Sequence, residues 1–220
     1  NETVLSLSFS PSQTGQIVIV CEPHRVLAAT LSQSQTDLAQ VTVRVDIGVL
    51  ATSSEPCGDP CDIDWSGARL LAATINHPIN QIKIWQIGQD GSSHLVQALW
   101  DPDGPKALAF SHQGTQLAYS TRTGGIKIWD LTQEGKEGKV TNVADTAEHF
   151  GPERSVDLLS YSPDGAYLAL VSPQSGKGAY ILNTNASRIR EVGRQALWAA
   201  WLPETSFLAI SSPDGISLWD

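Results

Sequence analysis

The sequence predicts an all-β protein assembled from five copies of one short antiparallel unit. Three observations carry that reading. The phrase IKIW occurs twice, ending on Trp85 and Trp129, 44 residues apart. Five apolar strands each end on an aromatic residue followed by a turn, at Phe9, Trp65, Phe110, Tyr161 and Trp201. Hydrophobic alternation has period 2 wherever it is clear, and no segment shows a sustained helical period. Self-similarity at a spacing of about 45 residues marks a repeat architecture.

The elements can be read in order. The first strands are VLSLSFSPS, PCDIDWSG, PKALAFSHQG, SVDLLSYSPDG and QALWAAWLPET. After each turn comes a second apolar strand, in turn QIVIVC, RLLAAT, QLAYST, YLALVS and FLAISS. A short polar break leads to a third strand, seen as QIKIW, GIKIWDL, GAYILNT and GISLWD, with HRVLAATL the poorly aligned third strand of the first unit. A less regular fourth segment follows in QVTVRVDI, HLVQALW, KVTNVAD and SRIREVG. The turns carry suitable chemistry. In Ser162-Pro-Asp-Gly165, Pro163 presets φ, Asp164 can bond its own backbone and Gly165 accepts a positive φ. A unit of four short strands cannot bury both faces alone, but sheets stacked radially bury one another.

FSHQGTQLAYSTRTGGIKIWDL (110–131), YSPDGAYLALVS (161–172) and the final SSPDGISLWD resemble the WD-repeat β-propeller family. The resemblance covers nearly the whole chain. It implies one WD40-like propeller segment over residues 1–220, with four-stranded antiparallel blades at about 4–46, 60–100, 105–146, 155–192 and 195–220. The family usually uses seven blades, so it further implies that these five belong to a larger ring of about seven. A closed five-bladed ring is the alternative. The sequence also departs from the family. Trp-Asp occurs only at 129–130 and 219–220, and no Gly-His pair precedes any first strand. Without that histidine, the family's His–Ser/Thr–Asp–Trp network is not expected here. Trp198 stands where other units have Ala107 and Ser6, so it either fills a gap in the ring or faces something outside it, and its size favours packing.

Composition narrows the function. Hydrophobic residues are 41% and charged residues 17%, as in a folded globular chain. No apolar run is long enough to span a bilayer, so no membrane insertion is expected in this segment. No leader is visible, yet the chain starts at Asn1 and contains no Met, which suggests a piece of a longer protein. The net charge of −9 disfavours general nucleic-acid binding and favours protein partners with basic segments. Arg188, Arg190 and Arg194 form a loose basic grouping that reads as solvated surface. Three cysteines do not make a disulfide-built domain, and an intracellular chain, cytoplasmic or nuclear, is expected.

No enzyme site is legible. Cys57 and Cys61 lack the further ligands that zinc needs. Asp101-Pro-Asp-Gly-Pro105 faintly suggests a calcium loop, but its aspartates are turn-formers first and the spaced ligands are missing. No nucleophile elbow, phosphate loop or dinucleotide fingerprint occurs. No catalytic, cofactor or metal residues are therefore assigned, and no cofactor is expected. The reading is a non-catalytic scaffold that presents propeller loops to partner proteins within a multiprotein complex. The alternative is the propeller module of a larger enzyme, such as a peptidase-linked or TolB-like propeller with catalysis on another domain. Loops joining second to third strands, with loops leading into first strands, should form one face. His77, Arg122, Arg154, Gln174 and Lys177 are the candidate partner contacts on it.

Overall fold

The structure, a computed structural model, describes residues 4–9, 16–21, 25–34, 42–52, 63–66, 71–87, 93–132, 138–151, 156–173, 176, 178–202 and 205–220. The chain divides into two compact units, Asn1–Leu99 and Trp100–Asp220. The first unit holds two four-stranded sheets. One is β1 (Val4–Phe9), β2 (Gln16–Cys21), β3 (Arg25–Ser34) and β4 (Thr42–Thr52). The other is β5 (Ile63–Ser66), β6 (Leu71–Asn76), β7 (Gln81–Ile87) and β8 (Ser93–Trp100). In each, strands pair in chain order, as short connections between antiparallel neighbours dictate.

The second unit holds three sheets. The first is β9 (Pro105–Phe110), β10 (Gln116–Thr121), β11 (Gly125–Asp130) and β12 (Val140–Asp145). A single helical turn, α1 (Ala147–Phe150), leads on to β13 (Leu158–Tyr161), β14 (Tyr167–Val171), β15 (Ala179–Asn183) and β16 (Arg188–Gly193). Then come three strands, β17 (Trp198–Trp201), β18 (Leu208–Ser212) and β19 (Gly215–Trp219). The expected all-β, blade-like architecture is present, and both IKIW phrases lie on third strands.

Period 2 explains the packing. On β14, Leu168 and Leu170 join a core with Ile126, Ile128 and Ala118 of the preceding sheet. Their neighbours Ala169 and Val171 point the other way, into a core with Ala199, Leu208 and Ile210. A strand buried on both faces must be apolar at every position, which is why YLALV reads as a continuous run. Polar bonds fix the stacking. Ser120 donates to the Val156 carbonyl at 2.8 Å and accepts from the Ala107 amide at 3.1 Å, which ties β9, β10 and the approach to β13 together. Lys106 pairs with Asp157 across the same seam. The aromatics that close first strands reach back to the preceding sheet. Trp201 Nε1 donates to the Ser160 carbonyl at 3.1 Å, and the Tyr161 hydroxyl meets Gln116 at 3.4 Å.

The Ser-Pro-Asp-Gly turn is held by its own side chains. Ser162 Oγ donates to Asp164 at 2.6 Å and accepts the Tyr167 amide at 2.9 Å, and Gly165 takes φ 75°. Ser111 makes the second of these bonds in the preceding sheet, accepting the Gln116 amide at 3.1 Å.

Trp198 corrects an expectation. It does not fill a gap but is 51% exposed. Alternation sets this, because Ala199 takes the core-facing position and turns Trp198 onto the opposite face with Ile216 and Leu218, which are 80% and 62% exposed.

The contrast between faces is measurable. Leu170→Ala should lower stability by about 2–5 kcal/mol, since a fully buried leucine leaves a cavity. Leu218→Ala should shift it by no more than about 0.5 kcal/mol. Urea denaturation of the two variants decides the matter, and equal losses would contradict the assigned faces.

Candidate functional site

The best-defined surface lies at the end of the second unit where β10 turns into β11. The loop Thr121–Gly124 sits beside the loop Asp101–Gly104 that leads into β9. The Arg122 amide donates to the carbonyls of Gly104 at 2.8 Å and Asp103 at 3.2 Å. On the other side, Thr146 donates to the Gly124 carbonyl twice, through its amide at 2.9 Å and its hydroxyl at 2.8 Å. Gly104 has φ 71°, and a Cβ there would stand 3.1 Å from Arg122 Cδ, so the arginine stem lies over the glycine. Arg122 itself is exposed.

Beneath these loops is a polar cluster. Asp101 is 4% exposed, and its carboxylate accepts from the Tyr119 hydroxyl at 2.6 Å, from Lys127 Nζ at 2.8 and 3.0 Å, and from the Asp103 amide at 2.9 Å. Lys127 also binds the Asp103 carboxylate at 2.7 Å. Burial pushes the Asp101 carboxyl up, but bonds from Lys127, Tyr119 and the Asp103 amide outweigh it and hold its pKa below the ordinary aspartate value. Burial pulls Lys127 down, but its bonds to Asp101 and Asp103 keep it above the ordinary lysine value. Burial and the adjacent Asp101 push Tyr119 well up. The cluster therefore holds a carboxylate, an ammonium and a neutral phenol at neutral pH.

This resolves the faint calcium signature. The Lys127 ammonium occupies the space between the two carboxylates, which leaves them suited to bracing the loop rather than to binding a cation. No group of three or more His, Cys, Asp or Glu side chains able to hold a metal occurs among the described residues. The aspartates are turn-formers, since Asp101 caps the Asp103 amide, but Asp101 also anchors the interior.

The candidate contacts are spread unevenly over what can be seen. Arg122 belongs to this face. His77 opens a 3₁₀ turn, His77–Ile79, between β6 and β7 in the first unit, and its side chain lies outside the described residues. Arg154, Gln174 and Lys177 also lie outside the described residues, as do Cys57 and Cys61. Exposed Asp145 and Glu148 adjoin the loop on the Gly124 side.

Tyr119 and Lys127 were the missed members. They are cross-strand partners, as Thr74 and Lys83 are in the first unit. There Trp85 Nε1 donates to Thr74 Oγ1 at 3.1 Å, so the Trp–Thr half of the family network is made without its histidine. In the second unit Tyr119 takes the threonine's place and turns its hydroxyl to Asp101. The indole N–H of Trp129, 2% exposed, is left without a partner among the described residues. The available signal was the lysine inside an otherwise apolar strand.

The cluster predicts a pH profile. Asp101, whose pKa is depressed on folding, contributes stability above the unfolded aspartate value of about 4, and this is lost as pH falls through the lower folded value. Lys127, whose pKa is raised, contributes below the unfolded value of about 10.4 and loses that only as pH rises through the higher folded value. Asp101→Asn should cost about 1–3 kcal/mol at pH 7, because it removes the buried charge partner of Lys127 and leaves the ammonium with Asp103 alone. It should also flatten the acid limb of stability against pH. An unchanged acid limb would remove Asp101 from this role.

Comparison with known proteins agrees with the fold. No family model matches the chain. The human protein named echinoderm microtubule-associated protein-like 2 is 23% identical over 216 residues, covering 83% of this chain and 32% of the relative. The chain thus spans about a third of that relative's length. The crystal structure of the Cps50 (Swd1) β-propeller domain of Myceliophteria thermophila superposes with a TM-score of 0.66 at 12% identity, over 98% of this chain and 69% of that one. The sheet topology and these likenesses together give the chain the fold of a WD-repeat-type β-propeller.

Proposed function

We propose that the chain is a non-catalytic interaction scaffold that presents its strand-connecting loops to partner proteins within a multiprotein complex. The single observation behind this reading is the anchored loop face. Two adjacent loops are pinned by backbone bonds and braced from below by Asp101, Tyr119 and Lys127, while Arg122 stays exposed. A surface held rigid before binding loses little conformational freedom on binding, which favours recognition over chemistry. Around Arg122 the exposed carboxylates of Asp145 and Glu148 add to an overall charge of −9, which suits a partner with a basic segment that also offers an acceptor to the arginine.

The reading is tested by affinity capture with the chain as bait. Arg122→Glu should reduce capture of specific partners about tenfold, as loss of an exposed arginine anchor does. The melting temperature should stay unchanged. Gln113→Lys, in the turn at the other end of β10, should leave capture intact. Equal capture by all three proteins would move the interaction to another surface.

A further inference from the structure

Thr146 stands at a joint between the loop that carries Arg122 and the helical turn α1. It is fully buried, and its amide, carbonyl and hydroxyl are all in use. The amide and the hydroxyl both donate to the Gly124 carbonyl, at 2.9 and 2.8 Å. The Thr146 carbonyl accepts from the amides of His149 and Phe150, each at 3.0 Å. Two bonds therefore hold the loop, and two hold α1. The turn is closed at both ends. The Asp145 carboxylate accepts the Ala147 amide at 2.9 Å, and the Gly151 amide donates to the Ala147 carbonyl at 2.8 Å.

The far end of α1 is fastened to the next sheet. Phe150 is fully buried in the core that β11 shares with β14, together with Ile126, Leu170 and Tyr180. Its ring meets the Tyr180 ring edge-on at 4.8 Å, and the His149 ring lies tilted against the same tyrosine at 5.3 Å. Tyr180 is on β15, so α1 follows one sheet at β12 and is anchored on the next. Such aromatic contacts contribute beyond the area they bury. A single helical turn has no stability of its own, so α1 keeps its shape because both of its ends are tied. Whatever loosens the aromatic end also loosens Thr146, and Thr146 is the tie on Gly124.

We propose that Thr146 is the positioning residue of the Arg122 loop, and that α1 couples this loop to the seam between the two sheets. The proposal rests on the loop face being the recognition surface. Thr146 and Phe150 are fully buried and touch no partner. They act by holding the Gly124 carbonyl, and with it the backbone on which Arg122 stands, in the arrangement that a partner meets. The Asp101 cluster braces the other flank, where the carbonyls of Asp103 and Gly104 hold the Arg122 amide. The two flanks are thus set by different residues. Coupling of this kind is reciprocal. A partner that holds the loop from outside tightens α1 onto Tyr180, and a change that frees Phe150 weakens the partner. The loop face is then tuned from the interior, with no change to a surface residue.

The test reads amide hydrogen exchange by NMR at Arg122, Gly124 and Gly125, all of them hydrogen-bonded, alongside partner capture. Thr146→Val removes the hydroxyl bond and keeps the shape of the side chain. Exchange at these amides should quicken about fivefold, the factor set by one net hydrogen bond, and capture should fall by a similar factor. Thr146→Ser returns the hydroxyl and should restore both. Phe150→Leu should quicken the same amides, although its side chain lies in the seam. Leu168→Val weakens that same core where β14 pairs with Leu182 instead of Tyr180, and it should leave the loop amides unchanged. Unchanged exchange in Thr146→Val or Phe150→Leu, equal quickening by Leu168→Val, or a serine variant that behaves like the valine one would overturn the proposal. So would capture that falls in Arg122→Glu but not in Thr146→Val. Capture unaffected by Arg122→Glu would instead refute the loop face as the recognition surface, and the exchange rates would still decide the coupling.

Discussion

Two-sided burial of a thin sheet is the constraint on which the second unit depends. A strand such as β14 offers Leu168 and Leu170 to one neighbour and Ala169 and Val171 to the other. Neither set can be covered by the sheet's own strands, so the neighbours are obligatory. The pattern is also unequal. Large side chains interleave on the side of β11, where Ile126 and Ile128 meet them. Small ones lie on the side of β17, where Ala199 and Leu208 approach closely. Packing of this kind fixes the position of every strand end, and the loops inherit that position.

The polar groups that survive inside this arrangement sit at its seams. Ser120 joins three segments through one hydroxyl, and Asp101 collects four donated bonds on one carboxylate. Both are buried, and a buried polar group without partners would cost more than it contributes when paired. The partners they find at the seams account for their setting. Asp101 points inward and pairs with Lys127, whereas Arg122 is exposed. The charged groups that stabilise the cluster are thus distinct from the exposed Arg122 proposed for recognition.

Most of the architecture was legible in the sequence because it rests on local rules. The IKIW phrases have the period of a strand, and the turn residues at 162–165 have one backbone solution. Contacts between elements were harder to read. Trp198 looked like a core residue by size, but its face is set by its parity with Ala199, and parity decides exposure only once the neighbour is known. Asp101 was legible as a turn residue and not as an anchor, since Tyr119 and Lys127 reach it from 18 and 26 residues away.

The two tryptophans that close the IKIW strands show why a repeat's fold outlasts its internal bonds. Trp85 and Trp129 occupy the same register position, opposite Ala72 and Leu117. Trp85 donates to Thr74, but Trp129 cannot, because Tyr119 fills the threonine's position with a ring whose hydroxyl is carried past the indole to Asp101. The gain is a charge-assisted bond to a buried carboxylate, and the loss is one indole N–H left without a partner among the described residues. A bond to an ionised acceptor is worth roughly twice a neutral one, and the cost of the unpaired indole stands against that gain. What must be kept from unit to unit is the apolar alternation that buries both faces. The polar bonds can be traded between positions, and each trade leaves a different set of charged side chains at the loop that the strand supports.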